Sequence, residues 1–376
     1  MPAPALDDLL RMVVEQNGSD LHIKAHEPPI LRIHGVLTRT NFAPLSPEET
    51  KTMMYAIMTE ERQRRFERKM ELDQAYAVPG LARFRVNVYK QRGCVGAALR
   101  LIPLRVQTID ELGLPQVLKR ISLIPRGLVL VTGPTGSGKS TSLAAMIDWI
   151  NEHKAVHVIT IEDPIEFMHT DKVAAIEQRE VEIDTHSFAD GLRHVMRQNP
   201  DVILVGEMRD LETMQLAITA AETGHLVFAT VHTTDAAQTM DRIVDVFEPD
   251  RQQQIRLQLS VVIQAVVSQT LLPRCDVAGR AAAFEIMMAT PAIRNLIREA
   301  KTHQIYATIQ TGHDLGMQTL DGHLLQLHRQ GLVTFEDAAA KSSNPSEFRE
   351  RAKIMAAVGA AGAAGAAGVT SAQRTT

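Results

Sequence analysis

The sequence is 376 residues long, more than one hydrophobic core ordinarily organises, so two domains are expected. Lys and Arg number 40 against 44 Asp and Glu, a net charge of −4, which argues against a chain that coats nucleic acid with a basic face. Hydrophobic residues at 45% and charged residues at 22% exclude wholesale disorder. Two distant cysteines, Cys94 and Cys275, exclude a disulfide framework and a four-thiolate zinc site.

Met1 to Leu10 lacks a basic stretch followed by an apolar one, so no secretory signal is expected. Leu6, Leu9, Leu10, Val13 and Val14 then form one stripe of an amphipathic helix. Beyond Gly18 the period falls to two: Leu21 and Ile23, then Leu31 and Ile33, predict short strands around Pro28-Pro29. Ser46-Pro47-Glu48-Glu49 is a capping box with proline at the first helical position, and the helix it opens is expected to run into the charged stretch Glu60 to Lys69. Phe84, Val86 and Val88 alternate with Arg83, Arg85 and Asn87, and a turn at Gly93 returns through Val95, Ala97, Leu99 and Leu101. Residues 1–105 therefore predict a small α+β domain, and 106–115 a linker.

From Gly113 onwards short apolar runs alternate with helical patterns. Gly127 to Thr132, Val156 to Ile161, Val202 to Val205 and Leu226 to Val231 predict strands buried on both faces, which is α/β architecture over 116–350. From Asp250 the chain reads as mostly helical, and Thr290-Pro291 caps another helix. The longest apolar candidate, Leu257 to Leu272, is broken by Gln258, Ser260, Gln264, Ser268 and Gln269, so no membrane insertion is expected. The Ala/Gly-rich stretch 351–376 predicts a disordered tail.

Gly133-Pro134-Thr135-Gly136-Ser137-Gly138-Lys139-Ser140 fits G-x-x-x-x-G-K-[ST], with Thr141 following, between a predicted strand and a predicted helix. Glycines let successive backbone N–H groups converge on phosphate oxygens, and the helix N-terminus adds positive potential. Lys139 would reach the β- and γ-phosphates and Ser140 would offer its hydroxyl to Mg²⁺. Glu207, after the strand Val202 to Val205, is the leading general base, with Gly206 where such motifs usually carry Asp. Glu162-Asp163-Pro164-Ile165-Glu166 supplies further carboxylates, each either a catalytic group or a solvated loop residue. His225 and His232 flank one strand, at opposite ends, so no shared metal is expected; each is either a structural hydrogen-bonder or a sensor of the γ-phosphate. Arg83 and Arg85 share the polar face of a strand, and Arg193 and Arg197 stand i, i+4 on a helix; each pair is either ordinary surface charge or an arginine finger toward a neighbouring subunit. Arg209 follows Glu207 closely enough to brace it.

GPTGSGKST, ITIEDPIEF, DVILVGEMRDLET, AAETGHLVFATVHTTDAA and TPAIRNLIRE, in this order, resemble the PilT family of twitching-motility ATPases, which retract type IV pili, within the secretion-ATPase superfamily. The likeness runs from about residue 5 to about residue 345, with SDLH near Asp20 and ARFRVN near Arg85. It implies a homo-hexameric ATPase with a PAS-like N-terminal domain and a RecA-like P-loop domain, using ATP and Mg²⁺. It also implies an acidic box at Glu162 to Glu166, with Glu166 joining Ser140 and Glu207 as a metal or water ligand, and a histidine box at His225 and His232. The segment Ala292, Ile293, Arg294, Asn295, Leu296, Ile297, Arg298 and Glu299 is implied to couple hydrolysis to retraction. On its own periodicity this segment buries Ile293, Leu296, Ile297 and Ala300 and turns Arg294, Asn295, Arg298 and Glu299 outward. The implied partners are an inner-membrane pilus platform protein and, in an accessory role, a second pilus ATPase, with the chain cytoplasmic at the inner face of the inner membrane and no nucleic acid bound. Competing readings are an accessory retraction ATPase and an assembly or type II secretion ATPase. The latter typically carries a four-cysteine zinc module that two cysteines cannot build.

Overall fold

The computed structural model describes residues 4–33, 35–102, 105–350 and 352. The predicted tail, apart from Ala352, lies outside the described residues, as does Pro103 before the predicted linker. Two compact units divide the chain: residues 1–107 with 162–170 and 178–185, and residues 108–161, 171–177 and 186–376. Both short excursions of the first unit come from the stretch the sequence reading gave to the second domain.

In the first unit, α1 (Leu6–Glu15) buries Leu6, Leu9, Leu10 and Val13 as its spacing predicts. The strands β1 (Gly18–Ile23), β2 (Ile30–Ile33) and β3 (Val36–Arg39) follow. The helix α2 (Pro47–Ala56) is opened by the capping box: Ser46 Oγ accepts the Glu49 N–H at 3.2 Å and Glu49 Oε2 accepts the Ser46 N–H at 2.7 Å. The expected continuous helix is broken here, because Thr59 caps a second one, α3 (Glu60–Lys69), by accepting from the Arg62 N–H. The strands β4 (Glu71–Val78), β5 (Ala82–Gln91) and β6 (Cys94–Ile102) complete an antiparallel sheet in the order β3-β2-β1-β6-β5-β4. Leu10, Val13, Leu21, Ile23, Phe66, Phe84, Val86 and Leu99 are among the residues of its core.

The second unit runs α4 (Val117–Ser122), β7 (Gly127–Thr132), α5 (Lys139–His153), β8 (His157–Glu162), β9 (Ala175–Glu180), α6 (Phe188–Val195), β10 (Val202–Val205), α7 (Leu211–Glu222), β11 (Leu226–Val231), α8 (Ala236–Asp245) and α9 (Pro249–Val262), with the last residue of β8 and the last three of β9 falling in the first unit. It continues through β12 (Ile263–Pro273), β13 (Arg280–Met288), α10 (Pro291–Arg298), α11 (Ile305–Thr311), α12 (Leu320–Arg329) and α13 (Phe335–Lys341). The mostly helical reading after Asp250 therefore fails at β12 and β13, which pair antiparallel over Ala265 to Pro273. The sheet order is β13-β12-β7-β11-β10-β8-β9, and each of the neighbouring pairs from β12 to β8 is parallel. All six residues of β7 and of β11 and all four of β10 are buried, as strands covered on both faces require. Parallel strands bring the C-terminal ends of β7, β11 and β10 to one edge of the sheet, the edge where open α/β sheets bind ligands. No helix among the described residues is long and apolar enough to cross a membrane.

Candidate active site

The phosphate loop leaves that edge at the end of β7. Gly133, Gly136 and Gly138 all take positive φ, and a Cβ on Gly133 would sit 2.2 Å from the Gln269 carbonyl oxygen, so only glycine fits there. The tip, Pro134, Thr135 and Gly136, is exposed, and Ser137 is buried with no hydrogen-bond partner for Oγ among the described residues. Gly138, in the left-handed region, is the N-cap of α5, so no side chain caps the helix start that runs through Lys139, Ser140 and Thr141. That leaves the dipole's positive end and the loop amides to an anion. The Lys139 Nζ folds back to donate to the carbonyls of Gly133 at 2.8 Å and Pro134 at 3.2 Å, holding the cation over the loop.

Glu207 stands one strand beyond β11. After β10 the chain stays tied to its neighbours, with Gly206 N–H donating to the Ile161 carbonyl and Met208 N–H to the Thr230 carbonyl, while Thr230 Oγ1 donates to the Gly206 carbonyl at 2.6 Å. Glu207 Oε1 receives Arg209 Nε at 2.6 Å and His232 Nε2 at 2.8 Å. Partial burial alone would push this carboxyl up. The Arg209 hydrogen bond and charge, with His232 behind them, outweigh burial and hold it below the usual glutamate value. Arg209 thus braces Glu207, one of the roles its position in the sequence allowed, and His232 carries its proton on Nε2 toward the carboxylate.

His225 does not join this group. It precedes β11, and Leu226 pairs with Gly127 at the start of β7, so His225 lies at the opposite end of the strands from the phosphate loop. Its Nδ1 lies 2.9 Å from the Ala220 carbonyl and 3.2 Å from Thr223 Oγ1, closing the end of α7. Arg193 and Arg197 are both exposed, but α6 stops at Val195, so Arg197 lies past the helix and the expected i, i+4 pair is not formed. Arg193 pairs with Asp190 at 3.1 Å and with Glu212.

In the first unit the acidic stretch and the strand arginines meet one another. Glu162 Oε1 accepts Gln178 Nε2 at 3.1 Å, and Arg85 Nη1 lies 3.8 Å from Glu166 Oε1. Arg83 is mostly buried, not turned to solvent, and its Nη2 donates to the buried Glu180 Oε2 at 2.6 Å. Burial pushes the Glu180 carboxyl up against the pull of Arg83. Glu180 was not singled out in the sequence because nothing near it in the chain marks a partner for an arginine 97 residues away.

On α10 the outward set needs one correction. Ile293 and Ile297 are buried as expected, but Ala300 is exposed, and Arg294 turns inward. Its Nη1 donates to the carbonyls of Ser260 at 2.8 Å and Val261 at 2.6 Å, and its Nη2 to Gln264 Oε1 at 3.1 Å. Ala292, Asn295, Arg298 and Glu299 are exposed and Leu296 is half-buried.

A loop with three glycines at positive φ, a buried hydroxyl, a lysine over a loop of amides and a carboxylate two strands away at the same end of the sheet together fit a nucleoside triphosphate and the cation that accompanies it. Among the described residues no three His, Cys, Asp or Glu side chains group as a metal site of their own. The model of the "Type II/IV secretion system protein" family matches residues 3–340. Over 343 residues the chain is 52% identical to the type IV pilus retractation ATPase PilT of Pseudomonas aeruginosa, covering 91% of this chain and 99% of that protein. It is 42% identical over 348 residues to the type IV pilus ATPase PilU of the same organism, covering 93% and 91%. The crystal structure of the pilus retraction motor PilT with bound ADP superposes with a TM-score of 0.87 at 45% identity, covering 93% of this chain and 100% of that one. The chain belongs to the type II/IV secretion system protein family, on the branch of the PilT retraction ATPases.

Proposed function

We propose that this chain is an ATP-hydrolysing motor that powers type IV pilus retraction, and hence twitching motility. The observation that carries the proposal is the phosphate loop of Gly133 to Thr141 beside the Arg209–Glu207–His232 cluster, in a chain 52% identical to PilT. The second unit would be the RecA-like ATPase and the first unit the PAS-like domain, six copies forming a ring at the inner face of the inner membrane. The ring would act on a platform protein there, with PilU-like ATPases as candidate co-workers. The higher identity to PilT than to PilU favours the principal motor over the accessory one.

In turnover the loop amides and the α5 N-terminus would bind the phosphate chain and Lys139 would exchange its two carbonyl contacts for β- and γ-phosphate oxygens. Mg²⁺, held by the Ser140 hydroxyl and by water or the Glu207 carboxylate, would neutralise charge on the phosphates when bound. Glu207, ionised and aligned by Arg209 and His232, would orient the attacking water and accept its proton. His232 would respond to the γ-phosphate through its bond to the same carboxylate. Glu162 would act within the acidic box. Arg83, Arg85, Arg193 and Arg197 remain candidates for charge stabilisation across subunits, and the first two must leave Glu180 and Glu166 to serve.

The test is a pair of substitutions, assayed for nucleotide binding and hydrolysis in the purified protein and for retraction in piliated cells. Lys139→Ala should abolish nucleotide binding, hydrolysis and retraction together, whereas Glu207→Gln should keep ATP bound and lower kcat at least about a hundredfold, the scale of a lost general base. Hydrolysis by Lys139→Ala at the parent rate would overturn the proposal.

A further inference from the structure

The phosphate loop rests on a residue that no motif marks. The parallel pairing of β7 with β12 sets Thr132 beside Ser268, where Thr132 Oγ1 donates to Ser268 Oγ at 2.8 Å. The next residues, Gly133 and Gln269, are therefore neighbours at the point where the loop departs. Gln269 is buried, and it touches the loop at three places. Its carbonyl oxygen lies where a Cβ on Gly133 would collide at 2.2 Å. Its Nε2 lies 2.8 Å from the position of a Cβ on Gly138, the last glycine before Lys139. Its Oε1 accepts the buried Ser142 Oγ at 2.7 Å, in the first turn of α5.

We infer that Gln269 is a positioning residue for the nucleotide: a strut beneath the phosphate loop that ties the end of β7 to the start of α5 and so presets the spacing of the loop amides. A loop whose two ends are fixed loses less freedom when it closes on an anion, and its amides converge before the phosphate arrives. The carboxamide is suited to this because it accepts from Ser142 while staying uncharged next to a site for polyanions. A glutamate of the same shape would keep the Ser142 bond and add negative charge beside Gly138.

The inference rests on the reading of this loop as the nucleotide site, and the experiment separates the two. ADP with Mg²⁺ is titrated calorimetrically into the parent protein, Gln269→Ala, Gln269→Glu, Ser142→Ala and the Gln269→Ala/Ser142→Ala pair. Steady-state ATPase rates and nucleotide-free melting are measured alongside. Gln269→Ala should weaken ADP by about tenfold, the effect of one lost buried hydrogen bond, with kcat at saturating ATP within about twofold. The double variant should bind no more weakly than Gln269→Ala, since both changes break the same strut. Gln269→Glu should weaken ADP at least as much as Gln269→Ala, because it adds charge of the ligand's own sign beside Gly138. ADP affinity within about twofold of the parent in both Gln269 variants would overturn the inference, as would additive losses in the double variant. No ADP uptake by the parent would overturn the nucleotide site itself and the strut with it.

Discussion

Glu207 is held low by the groups that aim it, and this sets how the site must depend on pH. A carboxylate that receives Arg209 and His232 on one oxygen is ionised at neutral pH and fixed in direction, which suits it to orient water. The same contacts make it a weaker proton acceptor than a carboxylate left to burial alone. Removing Arg209 deletes the largest influence that opposes burial, so the Glu207 midpoint must rise. Arg209→Ala should therefore move the acid limb of the kcat profile to higher pH, with a lower plateau because the carboxylate is less well aligned. An acid limb at the parent's position would show that another group governs it. Of this cluster the sequence supplied each member and the Arg209 brace, but not the join to His232. The eight-residue phosphate loop announces itself because every position serves one local task. Arg209 and His232 lie 23 residues apart, and only the adjacency of β10 and β11 brings them to one oxygen.

Among the elements, α9 and α10 show how a pattern can be right in period and wrong in direction. Thr290-Pro291 does cap α10, with Thr290 Oγ1 accepting the Ile293 N–H, and Ile293 and Ile297 do fill the buried stripe. Yet Arg294, next to that stripe, is long enough to reach the last carbonyls of α9, which a helix C-terminus leaves without partners. Periodicity assigns a face to a Cβ and says nothing about where a seven-atom side chain ends. The segment after α9 misled for a related reason. Leu257 to Leu272 passes from helix to strand at Ile263, and the residues that bond to Ser268 and Gln269, Thr132 and Ser142, lie far from them in the chain. By contrast β7, β10 and β11 were legible, because strands buried on both faces need little beyond an apolar run. Arg294→Ala should cost about 1–2 kcal/mol in chemical unfolding, having removed charged hydrogen bonds to a helix end, and should depress hydrolysis and retraction together. Arg298→Ala, whose exposed side chain donates to Asn295 on its own helix, should leave unfolding unchanged. A loss of retraction with normal hydrolysis in Arg298→Ala would assign a mechanical role to the exposed face of α10.

At the scale of the molecule, the two units have separate cores, and the single tryptophan, Trp149 on α5, packs against the core of the second alone. Its fluorescence therefore follows the unfolding of the second unit whatever the first unit does. Two buried groups near the edge of that unit's sheet titrate oppositely. Burial raises the Glu285 carboxyl to about 7, against the bond it accepts from the Ala236 N–H at the start of α8 and with Asp235 and Asp321 adding to the rise. Burial also lowers His323, on α12, to about 4, where its Nδ1 accepts the Phe284 N–H. An acid with a raised native midpoint contributes stability that is complete below its unfolded value of 4.5 and is lost as pH climbs through about 7. A histidine with a lowered midpoint contributes stability that is complete above 6.5 and is lost as pH falls through about 4. Between 4.5 and 6.5 the two slopes oppose and largely cancel. Glu285→Gln keeps an acceptor for Ala236 and removes one of them. The variant should unfold with a stability that rises with pH across that window, by up to about 1.4 kcal/mol per pH unit. At pH 8 it should exceed the parent by as much as about 3 kcal/mol, because a carboxyl that the fold prefers protonated is no longer forced to ionise. Urea unfolding followed by Trp149 at pH 5, 6, 7 and 8 measures both effects. A parent and variant with parallel profiles would mean that Glu285 ionises in the folded chain as readily as in the unfolded one.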